Sequence, residues 1–270
     1  MGWRLHVGDG AGEPRIAEIR RERFPRLSLW LAGGGDAAQA VRAWVASGAW
    51  RGPSELPGAA ALSTRNRKNE VWALDVPGVG PCVLKLSRVP PDAPAGKRLE
   101  YAFRLRFRRR GLRAMRMALR AAAAGVPTFE PLAFWVEPGP PLRNGLLYRR
   151  IGGGSLKALW RNDPGDHDGI RPGVPEDPRF LALLPQAGAI AARLHAAGIA
   201  HDDLLPRNFV VRPDGSLALV DMESARPLRT PRLLAALRRR EALASLHRLR
   251  DRALYDAESL DAFFSGYRNP

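Results

Sequence analysis

Between residues 59 and 151 the apolar positions come in short runs set off by turn residues; beyond residue 178 they recur at helical spacing. Residues 59–62, 70–76 (E-V-W-A-L-D-V), 81–86 (P-C-V-L-K-L), 132–136 and 146–151 are predicted strands, each short, apolar and bounded by Gly, Pro or polar residues. Pro77-Gly78-Val79-Gly80 joins the second and third as a hairpin turn. Residues 97–124 carry helical spacing with an interruption near Gly111, and Gly125-Val126-Pro127 ends the run as a glycine cap followed by proline. Ser155 is placed to cap a helix that begins at Leu156. After a polar loop over 162–177, residues 180–197 form an amphipathic helix closed by Gly198. Residues 208–211 and 217–220 pair around Pro213-Asp214-Gly215. The tail from 231 to 267 reads as helical, basic at Arg238–Arg240 and aromatic at Phe263, Phe264 and Tyr267.

The first 58 residues are less regular. Helices are predicted over 13–22 and 37–46, and Gly33-Gly34-Gly35 separates the second from the run Leu29-Trp30-Leu31. The order is thus a strand-rich first part, a crossing at Gly152-Gly153-Gly154, and a helical second part that holds one hairpin. The expected fold class is α+β with two lobes, a small β-rich one and a mainly helical one. The expected boundaries are 1–58 for an N-terminal extension, 59–151 for the first lobe and 152–270 for the second.

Charge changes this picture most. The chain of 270 residues has 43 Lys and Arg against 27 Asp and Glu, a net charge of +16. Such a surplus calls for an anionic partner. Between Lys97 and Arg120 stand ten basic residues and one Glu, and Arg106, Arg109, Arg113, Arg116 and Arg120 share one helical face. Like charges at that density repel unless an anion meets them, so lipid phosphates or an anionic membrane surface are the expected partners. Nucleic acid is not expected, and a solvated face drawn from Arg-rich composition is the plain alternative. Cys82, the single cysteine, excludes an internal disulfide and a cysteine-based zinc cluster. No run approaches the ~18–20 apolar residues of a spanning helix. The first 25 residues mix Asp9, Glu13, Glu18 and Glu22 with Arg and lack the apolar core of a secretory leader. A cytoplasmic chain is expected, with any membrane contact peripheral.

His201-Asp202-Asp203-Leu204-Leu205-Pro206-Arg207-Asn208 has the spacing H-x-D-L-x-x-x-N of the protein-kinase catalytic loop. The chemistry explains the spacing: Asp203 must accept the proton of a substrate hydroxyl, and Asn208 must reach back over the loop to a magnesium ion. Asp221, thirteen residues after Asn208 and following a predicted strand, stands where the second magnesium ligand belongs. Hard oxygen ligands suit magnesium, which keeps waters and phosphates as its remaining ligands. The ordinary alternative is a polar turn and a hairpin with surface Asp and Asn. The joint match of helix, loop, hairpin and second Asp argues against it.

Leu194-His195-Ala196-Ala197-Gly198-Ile199-Ala200-His201 with Asp203-Leu204, Gly125-Val126-Pro127-Thr128 with Glu130-Pro131-Leu132, and the ending Phe263-Phe264-Ser265-Gly266-Tyr267 carry a resemblance. Together they resemble the bacterial lipopolysaccharide kinases that phosphorylate core heptose or Kdo sugars. The resemblance spans about residues 62–267. It implies ATP and Mg2+, a phosphorylated core sugar or lipid A as acceptor, and Glu223 as an acidic neighbour of the metal site. A monomer is expected, with ATP between the lobes. Lys85, in Cys82-Val83-Leu84-Lys85, falls where the ATP-phosphate lysine of V-A-I-K belongs. Two departures stand out. Ala114 and Met115 occupy the place of the third-helix Glu that pairs with this lysine, and a Gly-rich phosphate loop is missing. Arg65, Arg67 and Lys68, in the turn between the first two strands of the lobe, are candidates to meet phosphate by side-chain charge. His201 is expected to prop the loop and His195 to be packed in the core, while His6, His167 and His247 share no metal-ligand spacing. Two other readings stay open: a Ser/Thr or small-molecule kinase, and a basic pseudokinase that binds at a membrane or on RNA.

Overall fold

The computed structural model describes residues 3–5, 17–25, 27–66, 69–90, 92–103, 105, 110–138, 142–160, 177–231, 233–246 and 257–270. Arg67, Lys68, Arg106, Arg109, His6, His167, His247 and nearly all of the polar loop 162–177 lie outside them. The chain divides into two compact units, Met1–Leu119 with Glu130–Arg150, and Arg120–Phe129 with Ile151–Pro270.

The first unit is built on β1 (Trp3–Leu5), β2 (Ala17–Phe24), β3 (Leu27–Ala32), β4 (Ala60–Asn66), β5 (Asn69–Val76), β6 (Gly80–Arg88), β7 (Pro131–Glu137) and β8 (Arg143–Arg149). These form one sheet in the order β1-β2-β3-β7-β8-β6-β5-β4. Each neighbouring pair is antiparallel. All five strands expected between 59 and 151 form, and Val79 N–H donates to Val76 O at 2.9 Å to close the expected hairpin. Alternation along the strands divides the side chains between two faces. Leu29, Leu31, Leu84, Cys82, Trp135 and Leu147 meet Val41, Trp44 and Val45 of α1 (Gly35–Ser47) in one apolar cluster. Trp50 joins it, edge-on to Trp135 with centroids 5.2 Å apart, and satisfies its indole N–H on Val45 O at 3.1 Å. Burial pushes the Cys82 thiol up to about 11, so it behaves there as a small apolar side chain. On the opposite face Trp30 packs on Phe134, and Gly111 of α3 (Arg110–Ala123) lies so close that a Cβ would stand 2.6 Å from the Phe134 ring.

One expectation is corrected here. Residues 13–22 were predicted helical, yet Ala17–Phe24 is a strand with Ile19 buried and paired to Ala32. Its Glu and Arg residues suit local helical pairing, but the apolar strand β3 alongside offers a complete backbone ladder, and tertiary pairing overrides propensity. Of the expected helical run over 97–124, the described residues form α2 (Ala95–Phe103) and α3. Residues 17–32, placed by the sequence reading in an N-terminal extension, supply strands of the same sheet, with β3 directly beside β7.

The second unit holds β9 (Gly154–Ser155), α4 (Leu156–Trp160), α5 (Pro178–Ala196), β10 (Ile199–His201), β11 (Phe209–Val211), β12 (Leu217–Leu219), β13 (Ala225–Pro227), α6 (Ala235–Ala244) and α7 (Ala257–Arg268). The Ser155 hydroxyl accepts from Lys157 N–H at 3.2 Å at the start of α4, as expected. Asp177 caps α5 by accepting from Arg179 N–H at 2.8 Å. Helices α5 and α7 cross where both lack a side chain: a Cβ on Gly188 would lie 1.9 Å from Phe263 O, and one on Gly266 the same distance from Pro185 O. Beside that crossing, His195 Nδ1 lies 2.7 Å from Tyr267 Oη and Nε2 lies 3.0 Å from Ser245 Oγ. The Ser245 hydroxyl donates to Ala242 O, so it accepts from Nε2–H, and Nδ1 accepts from Tyr267. That is the packed core histidine the sequence led us to expect.

Candidate active site

The residues of the kinase-type loop come together in the second unit through two small sheets. Antiparallel β10 and β13 place His201 opposite Ala225, while β12, β11 and β9 form the other sheet. Gly153 lets the chain enter it: its φ is +115°, and a Cβ there would stand 1.8 Å from Val211 O. Asp203 follows β10, Asn208 precedes β11, and Asp221 follows β12. Thr128 fixes that last strand end, its hydroxyl donating to Leu219 O at 2.8 Å while Leu219 N–H donates to Pro127 O at 2.9 Å.

Asp203 is buried to 9 % exposure. Asn208 Nδ2 donates to Asp203 O at 2.7 Å and to Asp203 Oδ2 at 3.1 Å. The amide nitrogen is thus committed to Asp203, and the amide oxygen is the atom of Asn208 that could meet a hard cation. Arg207 Nη2 donates to both carboxylate oxygens of Asp203, at 3.1 and 2.8 Å. This charged pair orients the carboxylate, and the sequence reading missed it although the i,i+4 spacing is visible in the chain.

His201 is fully buried and tied on both ring nitrogens. Asp203 N–H donates to Nδ1 at 3.2 Å, and Nε2 lies 3.2 Å from Asp221 O. A carbonyl only accepts, so the proton is on Nε2 and the ring is neutral. Burial holds its pKa below the usual histidine value, overriding the opposing pull of the Asp221 carbonyl. Asp221 has φ +60° and ψ +56°, the sole non-glycine with positive φ among the described residues. A left-handed Asp is tolerated because its short side chain bonds locally, and such strain concentrates at functional sites. Glu223 follows on the short turn Met222–Ser224. Among the described residues no three His, Cys, Asp or Glu side chains converge on a metal position.

A second tie joins the loop to the following segment. Arg226 lies 3.5 Å from Asp202 and donates to Glu241 of α6 at 2.9 Å. Glu241 also accepts from the N–H groups of Arg229 and Thr230, which hold its carboxyl down at about 2.

Lys85 lies in the first unit, on β6, an interior strand between β8 and β5. It is paired with Leu146 and Val71 and points to the face that α3 covers, since Gly111 lies against Leu146. On α3, Ala114 and Met115 are fully buried. Arg65 lies on β4, its side chain outside the description, and Arg67 is not described. Of the basic stripe, Arg113 is exposed, whereas Arg120 turns to the end of α5 and donates to Ala197 O at 2.6 Å, where a cation suits the helix C-terminus.

No curated protein matches the chain in sequence. The profile of the lipopolysaccharide kinase (Kdo/WaaP) family matches residues 113–267, more than half of the chain, across the catalytic-type loop, Asp221 and α7. The α+β build, an antiparallel sheet first and a helical part after it, accords with a protein-kinase-like fold. By this match the chain belongs to the lipopolysaccharide kinase (Kdo/WaaP) family.

Proposed function

We propose that this protein transfers the γ-phosphate of ATP to a hydroxyl of a lipopolysaccharide core sugar. The observation that carries the reading is the clustering of Asp203, Asn208 and Asp221 around one neutral, fully buried histidine. Asp203 accepts the proton of the acceptor hydroxyl as its oxygen bonds to the γ-phosphorus and the bond to the β-phosphate oxygen breaks, releasing ADP. Arg207 keeps the carboxylate aimed. Asn208 through its amide oxygen and Asp221 through its carboxylate, with Glu223 nearby, would hold Mg2+, which neutralises phosphate charge when bound. Lys85 would pair with the α- and β-phosphates, and Arg65 and Arg67 would add charge to the same end. Most of the acceleration then comes from positioning and charge neutralisation. The chain works in the cytoplasm, at the inner face of the membrane that carries its lipid-linked acceptor.

Labelled phosphate transfer from Mg-ATP to intact and delipidated lipopolysaccharide core tests this. Transfer by wild type that disappears in Asp203→Asn is expected. ATP binding without transfer to any core acceptor would favour the pseudokinase reading, whose support is the buried Ala114 and Met115 in place of the third-helix Glu.

A further inference from the structure

Four of the seven exposed large hydrophobic side chains among the described residues lie within residues 233–243. Leu233 is 96 % exposed, Leu237 55 %, Leu234 48 % and Leu243 40 %. Single exposed leucines are ordinary on soluble proteins, but a cluster of this kind marks an interaction surface. Arg239 and Arg240 are exposed on the same helix, α6. Its one acidic residue, Glu241, is turned away, bound to Arg226, Arg229 and Thr230. The inward side is closed by Ala242, with Ser245 and Leu246 buried just beyond the helix. The helix is therefore anchored on one side and presents leucines with exposed arginines on the other.

We infer that residues 233–243 form a membrane-docking element that inserts Leu233, Leu234 and Leu237 among acyl chains while Arg239 and Arg240 meet the phosphates of an anionic bilayer. Leucine supplies area to bury, and arginine bends its guanidinium back to the headgroups. Anionic lipid strengthens binding by about fivefold per basic residue near the surface. Nucleic acid would use the arginines and leave the leucines in water. A second copy would bring like charges together. Glu241 ties α6 to Arg226, and Arg226 meets Asp202, next to Asp203, so docking by α6 holds the catalytic-type loop at the lipid surface. The purpose of this surface rests on the lipid-linked acceptor proposed above, but its existence is tested without ATP or acceptor.

The test is co-sedimentation of the full chain with vesicles of phosphatidylcholine alone or with about one third phosphatidylglycerol. Wild type should bind the anionic vesicles and bind the neutral ones far more weakly. Leu233→Ser with Leu237→Ser should weaken anionic-vesicle binding by about tenfold or more. Arg239→Gln with Arg240→Gln should erase the preference for anionic lipid. Both variants change exposed side chains, and melting within about 2 °C of wild type would show that they fold. No binding by wild type, or equal binding by wild type and the leucine variant, overturns the proposal. So does self-association that the leucine variant abolishes while vesicles are ignored. A chain that binds vesicles but phosphorylates no core acceptor overturns the kinase reading alone.

Discussion

His201 donates through Nε2 to the carbonyl oxygen of Asp221, 3.2 Å away, and so fixes the proposed metal ligand to the loop that bears the proposed base. The same ring accepts from Asp203 N–H. Replacing His201 by Phe leaves a buried donor and a buried acceptor without partners, at a cost of about 2–4 kcal/mol. It also frees Asp221 from its left-handed conformation. The expected result is a lower urea midpoint together with a fall in kcat that outweighs any rise in the KM for ATP. A variant of wild-type kcat would separate this histidine from catalysis.

Asp203→Asn keeps a side chain able to accept from Arg207 but removes the proton acceptor. Phosphoryl transfer should fall by about a thousandfold or more while ATP binding, read by nucleotide-induced stabilisation, persists. Arg207→Ala should act more weakly, by about tenfold, because it loosens the carboxylate without removing it.

Chelation should abolish transfer without lowering the melting temperature. No three-ligand carboxylate or histidine cage exists among the described residues, so metal is not expected to hold the fold. A large drop in melting temperature on adding EDTA would contradict this assignment of Asn208 and Asp221.

Burial, and then the proximity of His201, pushes His195 down to about 4, while an unfolded histidine titrates near 6.5. Below about pH 6.5 the unfolded chain takes up a proton that the folded chain refuses. This contribution is complete above that pH and is lost as pH falls toward 4, by roughly 3 kcal/mol. His201, also lowered, acts in the same direction. Urea midpoints from pH 7.5 to 4.5 should fall more steeply in wild type than in His195→Gln. Parallel curves would refute the linkage.

Gly188→Ala places a methyl within 1.9 Å of Phe263 O and should cost about 3 kcal/mol by prising α7 from α5. Ala189, on the same helix, is the control: Ala189→Gly should cost about 1 kcal/mol.

Much of the candidate site could be read directly from the chain. The spacing of His201, Asp203, Asn208 and Asp221 is local, since a loop and a hairpin of fixed length separate those residues in the chain. The strands from 59 to 151 were legible for the same reason, each bounded by its own turn chemistry. Residues 17–24 were not, because their strand state depends on β3, a partner whose pairing no local pattern announces.

By itself the sequence determined the strands from 59 to 151, the basic surplus, and the catalytic-type loop with its second aspartate, because each depends on neighbours a few residues away. Only the tertiary structure decided which strands adjoin, that Lys85 sits on an interior strand facing α3, and that Glu241, Arg226 and Asp202 form a chain from α6 to the loop. It also decided that Arg120 serves a helix end while the leucines of 233–243 stay in water. These are contacts between segments far apart in the chain, and burial and long-range pairing, unlike periodicity, exist only once the chain has folded.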